Sequence, residues 1–186
     1  FLRLESANLT EAERTDAVHY RPGDVVQFTQ NARGGWRRGE RAAVTGSDAT
    51  GVRVAARDGK EKLLPLDAAA RFQLYRPREM ALAAGDRVRF TLNAATPDGR
   101  RITNGATATV AGFTPSGDVA LADGRVVPKD HGHFAPGFVA TSVAAQGRTV
   151  KGRVFVAQAA ESLPASSLEQ FYVSVSRAKG GAGSVA

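Results

Sequence analysis

A short segment of this sequence occurs twice, and this repeat constrains the fold more than any other feature. Residues 23–32 read GDVVQFTQNA and residues 85–94 read GDRVRFTLNA, so seven of ten positions are identical. Three further landmarks recur in the same order: a Gly followed five residues later by Val, an Asp-Gly pair, and a Pro-x-Asp triplet. Four landmarks in one order indicate two copies of a single structural unit.

Each copy has the pattern of a small β domain. Val26 and Phe28 alternate with polar neighbours, as in a half-buried strand, and the second copy repeats this alternation. Asp-Gly pairs between apolar runs indicate hairpin turns, and the leading Gly-Asp is interpreted as a structural turn. We therefore expect a mainly β protein with some α, with small barrels of about five strands each at residues 20–68 and 82–130. Residues 69–81 would link them.

The flanking regions are predicted to contain helices. Residues 1–19 are expected to form an N-terminal helix and linker, because Thr10 and Glu13 fit a capping box and predict a helix from about Glu11 to His19. Residues 131–186 change character. Short apolar runs such as RVFVA are typical of buried strands, and a second capping box at residues 166–169 precedes a helical stripe through residue 175. This order fits an incomplete α/β layer.

Composition points to an anionic partner. The net charge is +7, which favours nucleic acid first and an acidic membrane surface second, although a general bias towards Arg would also explain it. The absence of Cys excludes disulfides, thiolate metal sites and a cysteine nucleophile, and it fits a cytoplasmic protein. No apolar run is long enough for a membrane span, so no span is expected. Of the two candidate partners, we predict single-stranded DNA and not a membrane.

In the C-terminal third, residues 141–150 read TSVAAQGRTV and residues 171–179 read FYVSVSRAK. These two segments resemble motifs V and VI of superfamily 1 DNA helicases, particularly the exonuclease V alpha-subunit type and the helicase part of conjugative relaxases. Thr141, Gln146 and Gly147 fit the first motif, and the Tyr-x-x-x-Ser-Arg ending at Arg177 fits the second. In that family a small SH3-like barrel precedes motif V, and the repeated unit carrying Asn104 is similar to it. The chain would then hold two tandem SH3-like barrels and part of a RecA-like motor domain.

The resemblance implies roles for several residues. Arg177 would be a catalytic arginine finger for a nucleotide held by a facing domain, since its planar fork suits phosphate oxygens. Gln146 and Gly147 would help to bind that nucleotide. DNA would be contacted by polar and basic residues, namely Thr141, Ser142, Arg148 and Asn104. Alternatively, Arg177 is a surface arginine near a helix C-terminus, where its charge interacts favourably with the helix dipole. The segment from Thr141 to Gly147 would then be a polar turn between a strand and a helix.

The sequence departs from the family in two ways. Val143 occupies a position where His is common in the family. No G-x-x-x-x-G-K-[ST] phosphate loop and no acidic pair for Mg²⁺ occur in the sequence. ATP and Mg²⁺ would therefore be cofactors of the parent protein only, with none bound by this chain alone. We expect no ATP hydrolysis by the isolated chain and regard it as a fragment that works with the rest of a helicase.

A basic stretch in the first copy, RGGWRRGER at residues 33–41, is a second candidate for DNA contact. Trp36 could stack a base while Arg37 and Arg38 hold phosphates, as in single-strand binders. Alternatively, Trp36 caps a barrel core and the arginines are solvated. Arg100 and Arg101 occupy a comparable loop of the second copy.

His131 and His133 have H-x-H spacing, but no thiolate and few carboxylates lie nearby in sequence, so we expect a loop and no metal site.

Three functional hypotheses follow. The chain is a helicase fragment that contacts single-stranded DNA; or a non-catalytic nucleic-acid-binding module; or a protein-interaction module of SH3-like barrels. Polarity, nucleotide preference, oligomeric state and the presence of a relaxase domain in the parent stay open.

Overall fold

A computed structural model describes residues 1–56 and 59–137, together with the backbone of four short strands between residues 150 and 185. The described residues are mainly β with few helices, which confirms the predicted class. It divides into two compact units, Phe1–Ala135 and Pro136–Ala186.

The first sheet has six antiparallel strands in the order β1-β6-β2-β3-β4-β5. The first repeat copy supplies five of them, and N-terminal strand β1 adds to the edge of β6. Alternating apolar side chains of these strands face one core, in which Val26, Phe28, Phe72 and Leu74 are fully buried. The bounds are Leu2–Ser6 (β1), Val25–Phe28 (β2), Arg41–Asp48 (β3), Gly51–Ala56 (β4), Glu61–Leu63 (β5) and Phe72–Glu79 (β6).

The second sheet has five strands in the order β12-β11-β10-β7-β13, and β8 pairs with β9 in a separate hairpin. Val88, Phe90, Val110 and Phe134 lie in its core. The bounds are Arg87–Phe90 (β7), Ala94–Ala95 (β8), Arg101–Ile102 (β9), Thr107–Phe113 (β10), Val119–Leu121 (β11), Val126–Val127 (β12) and Phe134–Pro136 (β13).

The two sheets repeat one topology. In each, four strands follow one another as neighbours and the fifth returns to pair with the first. Equivalent backbone hydrogen bonds recur: Gly39 N donates to Phe28 O at 2.7 Å, and Gly105 N donates to Phe90 O at 2.8 Å. Both second strands also carry a register shift at the same place, between residues 44 and 46 in β3 and between 110 and 112 in β10. The repeat seen in the sequence is therefore a repeat of structure.

The Gly-Asp pairs are turns, as predicted. The Asp24 carboxylate accepts from Arg21 N at 3.0 Å, and the Asp86 carboxylate accepts from Ala83 N at 2.8 Å. In each copy this bond closes the turn that leads into the first strand.

The segment expected to be a linker differs from the prediction. Most of residues 69–81 is strand β6, which lies between β1 and β2 in the first sheet. A 3₁₀ helix, Leu66–Arg71, leads into it. The second copy likewise continues past residue 130 into β13, so each unit includes a fifth strand that the predicted boundaries left out.

The N-terminal helix is shorter than predicted. Helix α1 spans Glu11–Arg14 and has the expected capping box, with Glu13 N donating to Thr10 Oγ1. A separate 3₁₀ turn, Ala17–His19, follows it, and the Asp16 side chain caps that turn by accepting from Val18 N at 3.0 Å. Asp and Thr side chains compete with helical backbone bonds, which explains the break at Thr15 and Asp16.

In the second unit, the described strands are Val150–Lys151 (β14), Val154–Ala157 (β15), Ala178–Lys179 (β16) and Ala182–Val185 (β17). Strand β15 confirms the strand predicted for RVFVA. Strand β14 pairs with β16 and β15 with β17, both in parallel. Parallel neighbours need a crossover connection, as in an α/β layer. The helix predicted within residues 166–175 lies outside the described residues.

Candidate nucleic-acid interface

Six of the predicted site residues lie outside the described part of the chain: Thr141, Ser142, Gln146, Gly147, Arg148 and Arg177. Their predicted roles are untested. The remaining candidates lie in two equivalent loops of the first unit. We name them loop 1, residues 29–40 between β2 and β3, and loop 2, residues 91–106 between β7 and β10.

Loop 1 is held in place through its backbone. The Asn31 side chain accepts from Arg38 N at 2.9 Å, and the Glu40 carboxylate accepts from Arg37 N at 2.9 Å. Both arginine side chains remain exposed. The loop therefore presents two guanidinium groups to solvent on an ordered backbone.

Trp36 lies in the core and not on the surface. Only 2% of its surface is exposed, and its ring stacks on Phe28 with centroids 4.6 Å apart and planes inclined by 13°. Lys62 Nζ lies over the ring, 4.9 Å from its centroid. No ring face is left for a base, so the prediction that Trp36 contacts DNA by stacking is wrong and the core interpretation holds.

The backbone of loop 2 is held by the same type of hydrogen bond as the backbone of loop 1. The Asn93 side chain accepts from Asn104 N at 2.7 Å, as Asn31 does from Arg38 N. Asn104 thus occupies the position of Arg38, and it is exposed, as a DNA-contacting residue must be. The structural role of Asn31 and Asn93 was missed from the sequence, although both lie in the repeated ten-residue segment.

The two basic residues of loop 2 differ from each other. The Arg100 side chain is hydrogen-bonded within the chain: its Nε donates to the Asp98 carboxylate at 2.7 Å and its Nη2 donates to Gly124 O at 2.5 Å. Arg101 is exposed, and its side chain has no ion pair within residues 1–56 and 59–137. Each loop therefore offers uncompensated positive charge.

Many other surface arginines in this unit are neutralised. Arg33 pairs with Asp67, Arg53 with Asp48, and Arg125 with Asp123. Arg3 and Arg78 both lie against Glu5. Arg37, Arg38 and Arg101 have no such carboxylate partner among the described residues, so they are the groups of these loops most available to an external anion.

The two repeat copies are joined through Arg41. Its guanidinium donates to Asp130 O at 2.6 Å, to His131 O at 2.7 Å and to the Gln27 side-chain oxygen at 3.0 Å. The same Gln27 oxygen lies 2.5 Å from His133 Nε2, which must be the donor because an amide oxygen only accepts. Residues 130–133 of the second copy thereby pack on the outer face of the first sheet.

Burial and the neighbouring Arg41 charge lower the pKa of His131 to about 4 and that of His133 to about 3. Both rings are therefore neutral at ordinary pH and act as packing groups. They do not join a cluster of three or more His, Asp, Glu or Cys suited to a metal ion anywhere in the described residues.

A cleft of about 1200 Å³ lies beside this junction. Small apolar side chains of the first sheet, Val25, Ala43 and Ala55, line one side, and residues 128–132 line the other. It offers an apolar surface flanked by Arg41 and Lys129.

No protein-family model and no curated protein sequence matches the chain. Within the described residues, no helix has the length and apolar character needed to cross a membrane.

Proposed function

We propose that the chain is the DNA-binding part of an ATP-driven DNA helicase and that it contacts single-stranded DNA. The observation that carries this proposal is the pair of equivalent loops with exposed arginines that lack carboxylate partners among the described residues, Arg37 and Arg38 in loop 1 and Arg101 in loop 2. Lys and Arg supply most of the affinity of such proteins for the phosphate backbone.

The proposed domain type is a tandem pair of SH3-like barrels. Five short antiparallel strands, with the fifth paired to the first and preceded in the first copy by a 3₁₀ helix, fit such a barrel.

The second unit is proposed to be a piece of the RecA-like motor domain. Its two parallel strand pairs are compatible with an α/β layer. Arg177 would be the arginine finger, and the phosphate loop and Mg²⁺ site would belong to a different part of the helicase. ATP hydrolysis by the purified chain that is lost in Arg177→Ala would contradict this assignment.

DNA binding is tested with a fluorescently labelled single-stranded oligonucleotide and anisotropy. We expect the double variant R37A/R38A to bind about thirtyfold more weakly than the unaltered chain, since each lost contact to a charged group is worth about 1 kcal/mol or more. The matched control is R3A/R78A, which removes the same charge from groups already paired with Glu5. Equal weakening by both variants would show that only net charge matters and would contradict a loop site.

A protein-interaction module is the second candidate, and the apolar cleft beside Arg41 favours it. SH3-like barrels can bind peptides, although fold alone is weak evidence of function. This candidate predicts that the chain shows no salt-dependent oligonucleotide binding.

A further inference from the structure

The two repeat copies can be compared strand by strand on the outer faces of their sheets. In the first sheet, the register pairs Val25 with Ala43 and Gln27 with Arg41. In the second, it pairs Arg87 with Thr109 and Arg89 with Thr107. These positions are equivalent. The first copy carries Val, Ala, Gln and one Arg at them, and the second copy carries two Arg and two Thr.

A segment of the same chain packs on the outer face of the first sheet. His133 contacts Gln27 at 2.5 Å and packs edge-on against Tyr75, with ring centroids 5.0 Å apart. Arg41 on this face donates to backbone oxygens of residues 130 and 131. This face thus binds a segment of the same chain through one arginine, Arg41, and through the uncharged side chains of Gln27 and Tyr75.

The side chains of the second face point outward. Val88 and Phe90 are buried, so the alternation places Arg87 and Arg89 on the opposite side of β7. Strands β7 and β10, which read RVRF and TATVAGF, contain no carboxylate. Neither arginine has an ion pair within the described residues. Arg87 makes one long contact to the Thr107 hydroxyl at 3.5 Å, and Arg89 Nε is buried with no hydrogen-bond partner.

We infer that this basic face, formed by Arg87, Arg89, Thr107 and Thr109, binds the phosphodiester backbone of a single nucleic-acid strand. The inference rests on the proposed function and assigns part of its binding surface. Residues two apart on a strand are about 6.7 Å apart, on the scale of the step between neighbouring phosphates in an extended single strand. Arginine forks match phosphate oxygens, and the threonine hydroxyls supply further donors at the same level of the sheet.

Small cross-strand neighbours make room for such a ligand. Threonine is short, so Thr107 and Thr109 add little bulk beside the arginine side chains on the β10 side. The described residues supply no acceptor for the buried Arg89 Nε, and a shift of this side chain towards a bound phosphate would give it one.

The test is the salt dependence of oligonucleotide binding by the full chain. Binding of a labelled single strand is measured between about 50 and 200 mM salt, where the slope of log K against log salt is about −0.7 per phosphate contacted. We expect R87A/R89A to reduce the magnitude of this slope by about 1.4, the share of two phosphates. R87K/R89K keeps the charge and should keep the slope. R3A/R78A is the control of equal charge loss.

The outcomes are distinct. If the unaltered chain binds and R87A/R89A keeps the full slope, the basic face is not a binding surface and the inference fails while the proposed function stands. If R87A/R89A loses its folded circular-dichroism spectrum, R87Q/R89Q takes its place, because Gln retains the side-chain stem and a donor. If the unaltered chain does not bind at the lowest salt, the proposed function fails and this inference fails with it.

Discussion

Replacement of Trp36 tests most clearly whether this side chain is a core residue or stacks on a nucleic-acid base. The side chain is 2% exposed and stacks on Phe28, so Trp36→Ala removes a large buried aromatic group from the first core. Substitutions of this kind cost about 3–5 kcal/mol, of which the lost stack contributes about 0.5–1.5 kcal/mol. The expected loss is a large share of the roughly 5–15 kcal/mol that stabilises a typical domain.

The assay is urea unfolding followed by circular dichroism, with thermal unfolding as a second measure. The midpoint temperature should fall by roughly 6–20 °C, at about 2–4 °C per kcal/mol for a chain of this length. Trp36→Phe retains a ring against Phe28 and should cost far less, with unchanged affinity for a single-stranded oligonucleotide. A Trp36→Ala loss below about 1 kcal/mol, or a folded Trp36→Phe variant that no longer binds DNA, would refute the core assignment.

Two predictions concern pH and capping. The pKa values of His131 and His133 are depressed from about 6.5 to about 4 and about 3 in the fold. The unfolded chain therefore binds more protons below pH 6.5, and stability should fall as pH falls, by about 3 kcal/mol between pH 6.5 and 5. His133→Gln keeps a donor for Gln27 but cannot titrate, so urea unfolding at several pH values should show about half that dependence; an unchanged pH profile would contradict the assignment. Thr10→Ala should destabilise the chain by about 1 kcal/mol because the capping box of α1 is lost, whereas Thr10→Ser should be nearly neutral, and equal losses in the two variants would argue against the cap.

Much of the fold could be predicted because the repeat carries its own landmarks. The duplicated segment placed β2 and β7, and the Asp-Gly pairs marked hairpins. Strand β6 was missed because its alternation is short: Phe72 and Leu74 are buried, but Arg76 and Pro77 follow after Tyr75. Pro77 is tolerated there because β2 extends only to the position opposite Tyr75, so Pro77 pairs with Leu4 of β1 alone.

The site was harder to predict because its contacts join distant parts of the chain. Arg41 binds carbonyl oxygens 89 and 90 residues away. Because every residue carries a backbone carbonyl, the sequence does not indicate which of them accepts a hydrogen bond from a distant side chain. The placement of Trp36 likewise depends on Phe28 and Lys62, which come from different strands. Exposed arginines could be named from the sequence, but which of them lack a carboxylate partner depends on the folded surface.

Salt-dependent binding of the unaltered chain to a single-stranded oligonucleotide tests the central claim most directly. Contacts from Arg37, Arg38, Arg101, Arg87 and Arg89 to five phosphates predict a slope of log K against log salt of about −3.5. Absence of binding at low salt, or binding whose affinity does not change with salt, would contradict the assignment of the chain to nucleic-acid recognition.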